Sequence, residues 1–158
     1  MTLSMLRFTA MEKPPEHMDW SKSFMYSLHE TYFMTQKRLE QKLALSDGLT
    51  FSQFLILLPL HCRDFASQNV IAEFLHLSEA TVSRHVTGLV KDGYIIKNEE
   101  HGNRRKHILK LSKSGTSAFM KAHAAIEEEL KSIFHVIPLK DRENISRSFE
   151  LVLTKLAD

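Results

Sequence analysis

The sequence predicts a mainly helical fold that carries one small β-hairpin, and three features point there. Apolar residues recur at helical spacing through most of the 158 residues. Between residues 94 and 111 the period changes to a rough apolar and polar alternation around Gly102-Asn103, the pattern of two strands and a turn. Just before that change, two short apolar-periodic segments, QNVIAEFL and EATVSRHVTGLVKD, are separated by only a two-residue link and a capping serine.

Taken in order, residues 1–17 contain Pro14-Pro15 and no periodic pattern, and read as a loose arm. From Asp19, a candidate N-cap, Phe24, Leu28, Tyr32, Leu39 and Leu43 mark a long helix that should end near Ser46-Asp47-Gly48. Thr50-x-x-Gln53 is a capping-box pattern that opens the very apolar FSQFLILLPLHC, where Pro59 should kink the helix or end it early. Ser67 can cap the helix in which Ile71 and Leu75 share a face. Ser78 can cap the next, with Val82, Val86, Leu89 and Val90 as its buried stripe and Gly93 at its end. Two helices joined so closely read as a helix-turn-helix. The hairpin follows, with HGNRRKH at its tip. Beyond Ser112 come a helix bearing Phe119, Ile126, Leu130 and Ile133 and, past Pro138, one bearing Ile145, Phe149, Val152 and Leu156.

A helix-turn-helix with a hairpin behind it is a winged helix. The flanking helices carry more apolar surface than so small a core needs, which predicts burial against a second copy of the chain. Residues 1–158 therefore read as one domain: the arm, dimerisation helices over 18–48 and 112–158, and a DNA-binding lobe over 49–111.

Net charge is only +2, but Thr81 to Gly115 holds eight basic residues against three acidic ones, so the positive field lies in one segment. On the helix from Glu79 to Asp92 the apolar stripe leaves Ala80, Thr81, Ser83, Arg84, Thr87 and Lys91 mostly outward. Such a face alone would read as ordinary solvated surface. Behind another helix and a basic hairpin it reads as a surface for double-stranded DNA. Short hydroxyls fit the major groove, and Arg can bond guanine O6 and N7 together. The predicted DNA contacts are Ser67, Gln68, Ser78, Thr81, Ser83, Arg84, Thr87 and Lys91, with Asn103, Arg104, Arg105 and Lys106 at the hairpin tip. Arg105 is assigned to insertion in a narrow A·T-rich minor groove, Arg104 to phosphate, and Lys106 to the field.

The segment from Leu49 to Gly115 resembles the MarR (multiple antibiotic resistance regulator) family of transcription factors. Leu49-Thr50-x-x-Gln53-Phe54 is similar to that family's entry to its second helix, and Leu77-Ser78-x-x-Thr81-Val82-Ser83-Arg84 to its recognition helix. Gly93-Tyr94-Ile95 is similar to its Gly-Leu-Val strand start. Asn103-x-Arg105 followed by Leu111-Ser112-x-x-Gly115 is similar to its wing pattern, at the family's spacing. The resemblance implies an obligate homodimer on a pseudo-palindromic operator, with recognition helices roughly 10 base pairs apart. It also implies regulation by a small molecule or an oxidant. The departures are Asn103 for the wing Asp, Ser83 and Ser112 for Thr, and Pro59 in a helix that the family leaves unbroken. Neutral Asn103 can hold Arg105 only by an amide hydrogen bond, which predicts a more mobile wing.

For the effector, Tyr26, Tyr32, Phe33 and Phe54 are candidates to line a ligand pocket, against the plainer reading of core or dimer seam. A redox- or metal-responsive switch through His61 and Cys62 is an alternative, but no His or Cys pair shows the i, i+4 spacing of a preformed metal site. No cofactor or metal is expected. An enzyme is not expected either, since the chain has no Gly-x-Ser-x-Gly elbow, no phosphate-cradling loop, no His-Glu-x-x-His, and five glycines in all. A winged-helix interaction module without DNA binding is a third reading. The first ten residues show no targeting signal, and the apolar run Phe54 to Leu60 falls far short of the about 20 residues a span needs. With a single cysteine, these features predict a cytoplasmic protein without membrane contact.

Overall fold

The computed structural model describes residues 20–45, 48–100 and 103–157, with the side chains of all of these except 20–23 and 99–107. The expected arm, 1–17, and the Asp19 cap lie outside the described residues. In order, the elements are α1 (Trp20–Ala44), α2 (Phe51–Arg63), α3 (Gln68–Leu75), α4 (Glu79–Lys91), β1 (Ile95–Glu100), β2 (Asn103–Leu111), α5 (Lys113–Phe134) and α6 (Leu139–Ala157). The predicted class and order of elements are those observed. The chain divides into two compact units, Met1–Lys37 and Arg38–Asp158. The described part of the first is the N-terminal portion of α1, which exposes Phe24, Met25, Tyr26, Tyr32, Phe33 and Met34.

The second unit is organised by its helix caps. Thr50 and Gln53 form the predicted capping box, with the Thr50 hydroxyl accepting from Gln53 N–H at 3.1 Å and Gln53 Oε1 accepting from Thr50 N–H at 2.9 Å. Glu40 adds a carboxylate to the same helix end, accepting from Phe51 N–H at 3.1 Å. Ser67, Ser78 and Ser112 cap α3, α4 and α5 through their hydroxyls. Of the two effects expected of Pro59, early termination does not occur: the helix runs on to Arg63. Pro in a helix interior costs about 3 kcal/mol. Here it is itself buried, with Ile56, Leu57 and Leu60 beside it, and that packing keeps the last turn helical.

The core joins these helices to the hairpin. Leu57 of α2, Ile71 of α3, Val82, Val86 and Leu89 of α4, Ile95 and Leu109 of the strands, and Phe119 and Ile126 of α5 belong to one buried cluster. Leu39 and Leu43 bring the C-terminal part of α1 into it. Strands β1 and β2 pair antiparallel, with Ile95 opposite Leu111 and Lys97 opposite Leu109, and the register shifts between Glu99 and Glu100. One addition has no periodic signal in the sequence: Ala66, between α2 and α3, makes a bridge to Leu109, with N–H to O distances of 3.1 and 2.9 Å. The bridge pins the base of β2 to the helix-turn-helix.

Along α5, Arg38 donates from Nε to Glu129 Oε1 at 2.8 Å and from Nη2 to the same oxygen. Lys42 Nζ donates to Glu128 Oε2 at 2.8 Å. That hydrogen bond holds the Glu128 carboxyl below, and the Lys42 ammonium above, its ordinary range. By contrast α6 buries none of its residues in this chain.

The tightest approach in the lobe lies between α5 and the start of β1. A Cβ built on Gly115 would sit 2.0 Å from the Tyr94 carbonyl oxygen and 2.9 Å from its carbon, both backbone atoms. Alanine at this helical position would ordinarily stabilise by up to about 1 kcal/mol. Overpacking a tight site costs about 1 to 3 kcal/mol. Gly115→Ala should therefore lower stability by about 2 kcal/mol in urea unfolding, and any gain would mean that the crossing relaxes freely.

Candidate nucleic-acid interface

Backbone bonds fix both the turn between α3 and α4 and the close of α4. α3 ends at His76 in a left-handed conformation, φ 52°, with His76 N–H bonded to Glu73 O and Leu77 N–H to Ala72 O. After this turn the Ser78 hydroxyl accepts from Thr81 N–H at 3.2 Å and starts α4. At its far end α4 closes with Gly93 N–H on Val90 O at 3.0 Å and Tyr94 N–H on Leu89 O at 2.8 Å. That is the paired bonding of a Schellman motif, with Gly93 at φ 78°.

Between these ends α4 has two faces. Val82, Val86 and Leu89 are fully buried and Val90 is half-buried. Ala80, Arg84, Thr87 and Lys91 are exposed, while Thr81 and Ser83 are half-buried. Arg84 and Lys91 make no ion pair among the described residues, so their charges face solvent uncompensated. The hydroxyls are less available. Thr87 Oγ1 donates to Ser83 O at 2.8 Å, and the Ser78 and Thr81 hydroxyls lie 2.9 Å apart. These three can still accept, or donate where a proton remains, but the Arg84 guanidinium and the Lys91 ammonium keep their donors uncommitted among the described residues.

Of the other predicted contacts, Ser67 and Gln68 are half-buried at the start of α3, and Ser67 accepts from Val70 N–H at 3.4 Å. Asn103, Arg104, Arg105 and Lys106 lie on β2, and their side chains fall outside the described residues, as does the turn at His101-Gly102. Two features were not anticipated: Lys110 Nζ lies 6.0 Å from the ring centroid of exposed Phe65, and Ser112 and Ser114 both reach Gly93. In the sequence Ser114 is indistinguishable from an ordinary surface serine.

The effector candidates fall in different surroundings. Tyr26, Tyr32 and Phe33 are exposed on α1, in the first unit. Phe54 is buried in the second, its ring 5.0 Å from Phe119 and nearly parallel to it. His61 stacks on Phe119 at 4.4 Å, and Cys62 is exposed in the last turn of α2. Among the described residues no three His, Cys, Asp or Glu side chains converge as metal ligands. No helix among them is long and apolar enough to cross a membrane.

With this geometry in hand, comparison with known proteins is specific. Residues 49–107 match the MarR family model, which covers α2 through most of the hairpin. An uncharacterized HTH-type transcriptional regulator of Bacillus subtilis, YvnA, is 26% identical over 105 residues, 65% of this chain and 67% of that protein. Among solved structures, a mutant MarR from E. coli complexed with operator DNA superposes with a TM-score of 0.76 at 16% identity, covering 83% of this chain and 94% of its own. Reduced AbfR bound to DNA gives 0.69 at 22% identity, covering 88% and 95%. An organohalide-sensing regulator in its 2,4-dichlorophenol-bound form gives 0.76 at 21% identity, covering 93% and 86%. The structures establish the MarR-like fold, and the family match falls on the lobe that carries the exposed face of α4. Residues 49–107 are thus a MarR-family winged helix-turn-helix segment, carried in a chain whose fold is MarR-like.

Proposed function

We propose that the protein is a repressor that binds a pseudo-palindromic operator as a homodimer and is released by a small aromatic ligand. The observation that carries the DNA reading is the exposed face of α4, where Arg84 projects from a helix whose opposite side is fixed in the core. Arg84 reads guanine in the major groove, and Thr81, Ser83, Thr87 and Lys91 contribute contacts to bases or phosphates around it. Ser67, Gln68 and Ser78 approach the backbone at the starts of their helices. Arg105 enters the flanking minor groove, with Arg104 on phosphate, Lys106 adding field and Asn103 orienting the wing.

The dimer is supported by α6. Ile145, Phe149, Val152 and Leu156 recur on one side of a helix that buries nothing in its own chain. Leu151 and Leu153 add to an apolar surface that a second copy would cover. Operator DNA in the MarR complex supports a similar target here, and 2,4-dichlorophenol in the organohalide sensor supports an aromatic effector. Tyr26, Tyr32 and Phe33 offer exposed aromatic surface for such a ligand, whereas Phe54, stacked on Phe119, has little left to give.

Selecting fragments from random duplexes with the purified protein tests the reading, because a dimer of this kind enriches inverted half-sites roughly 10 base pairs apart. On the enriched duplex, Arg84→Ala should cost about 1 to 3 kcal/mol and relax one base position per half-site. Equal losses on enriched and scrambled DNA would reduce Arg84 to a phosphate contact. Arg105→Ala should weaken binding and abolish the preference for A·T pairs flanking each half-site, and unchanged affinity would remove the wing from the mechanism.

A further inference from the structure

Burying Val82, Val86 and Leu89 holds α4 against the lobe, but apolar burial is non-directional and leaves small slides and pivots inexpensive. A side chain that reads bases needs its position held to within about 0.5 Å. Directional bonds must therefore fix α4, and at its C-terminal end they converge on one atom. The carbonyl oxygen of Gly93 accepts from the Ser112 hydroxyl at 2.6 Å and from the Ser114 hydroxyl at 2.8 Å. The two hydroxyl oxygens are themselves 2.8 Å apart. A carbonyl has two lone pairs and can take both donors.

The two serines stand in the first turn of α5. The Ser112 hydroxyl also caps that helix by accepting from Gly115 N–H at 2.9 Å, and Ser112 N–H donates to Tyr94 O at 3.0 Å. The end of α4 is thus hung on the start of α5 by three hydrogen bonds, across the same crossing that the absent side chain of Gly115 makes room for.

We propose that Ser114, together with Ser112, is a positioning residue for DNA recognition: it orients α4 through the Gly93 carbonyl and so sets base discrimination without touching DNA. The proposal rests on the reading of α4 as the base-contacting helix. Ser112 cannot isolate the effect, because replacing it also removes a helix cap. Ser114 can, since its hydroxyl contacts only Gly93 O and the Ser112 hydroxyl at this junction, and α5 keeps its cap without it.

The experiment measures the affinity of the full chain for the duplex enriched by the wild type and for a scrambled duplex of equal length, alongside urea unfolding. Ser114→Ala should lose about three- to tenfold in affinity for the enriched duplex, the worth of one net hydrogen bond. Binding to the scrambled duplex should stay as in the wild type, and the unfolding midpoint should fall by no more than the loss of one such bond accounts for. Ser114→Thr keeps the hydroxyl and should restore discrimination. Three results overturn the proposal: wild-type discrimination in Ser114→Ala, equal loss on both duplexes, or a loss that follows a lowered unfolding midpoint and persists in Ser114→Thr. Arg84→Ala in the same assay separates the two levels. Lost discrimination there beside wild-type discrimination in Ser114→Ala overturns the positioning role alone, whereas wild-type discrimination in both variants overturns Arg84 as the base-reading group and the positioning role with it.

Discussion

The backbone of Gly93 and Tyr94 is where the lobe is joined, and the placement of its other parts depends on that crossing. Tyr94 N–H ends α4 on Leu89 O, and its carbonyl takes Ser112 N–H and lies against the Cα of Gly115. Gly93 meets the conformational demand, since φ of 78° suits a residue without a Cβ. Gly115 meets the steric one. One residue further on, β1 begins, so a shift of this segment moves α4, the root of the hairpin and the start of α5 together. The Ala66 bridge to Leu109 ties the other strand of the wing to the link between α2 and α3. Helix-turn-helix and hairpin are therefore fixed to each other by backbone bonds on both strands.

Charge is distributed to match. The basic segment from Thr81 to Gly115 includes Arg84 and Lys91, which have no ion-pair partner among the described residues. Two cations of α1, in contrast, are engaged: Arg38 with Glu129 and Lys42 with Glu128. These pairs differ in weight. Lys42 and Glu128 are solvent-exposed enough that screening leaves little net stabilisation. Glu129 is nearly buried, and removing Arg38 would strand its carboxylate at a far greater cost than the pair's net worth. Charges that hold the scaffold are paired, and those on the α4 face are left for a polyanion.

Much of this was legible because caps and stripes are local. Thr50-x-x-Gln53, Ser67, Ser78 and Ser112 each name a helix start by chemistry that acts within three residues, and Val82, Val86 and Leu89 name a buried face by spacing alone. What escaped was set at a distance. Whether Pro59 breaks a helix depends on the packing around it, and the neighbours of Ser114 and Ala66 lie 21 and 43 residues away along the chain. Phe54 shows the same limit from the other side: an aromatic at helical spacing suits a pocket or a core equally, and the stack on Phe119 is visible only once α2 and α5 are placed.

The position of α5 suits the proposed control by an effector. At 1.5 Å per residue its 22 residues form a rod about 33 Å long. Its first turn carries the end of α4, and its second half carries Glu128 and Glu129, which hold α1 from Arg38 onward. Half-sites on DNA are about 34 to 36 Å apart for successive major grooves. In the proposed dimer, tilting such a rod by about 5° moves its far end by about 3 Å. That displacement exceeds the about 0.5 Å within which base-reading side chains must be held. In the proposed function, an effector therefore need not reach α4 to release the operator. A small change in how α5 is seated suffices, provided that the junction at Gly93 is stiff enough to pass the motion on rather than absorb it.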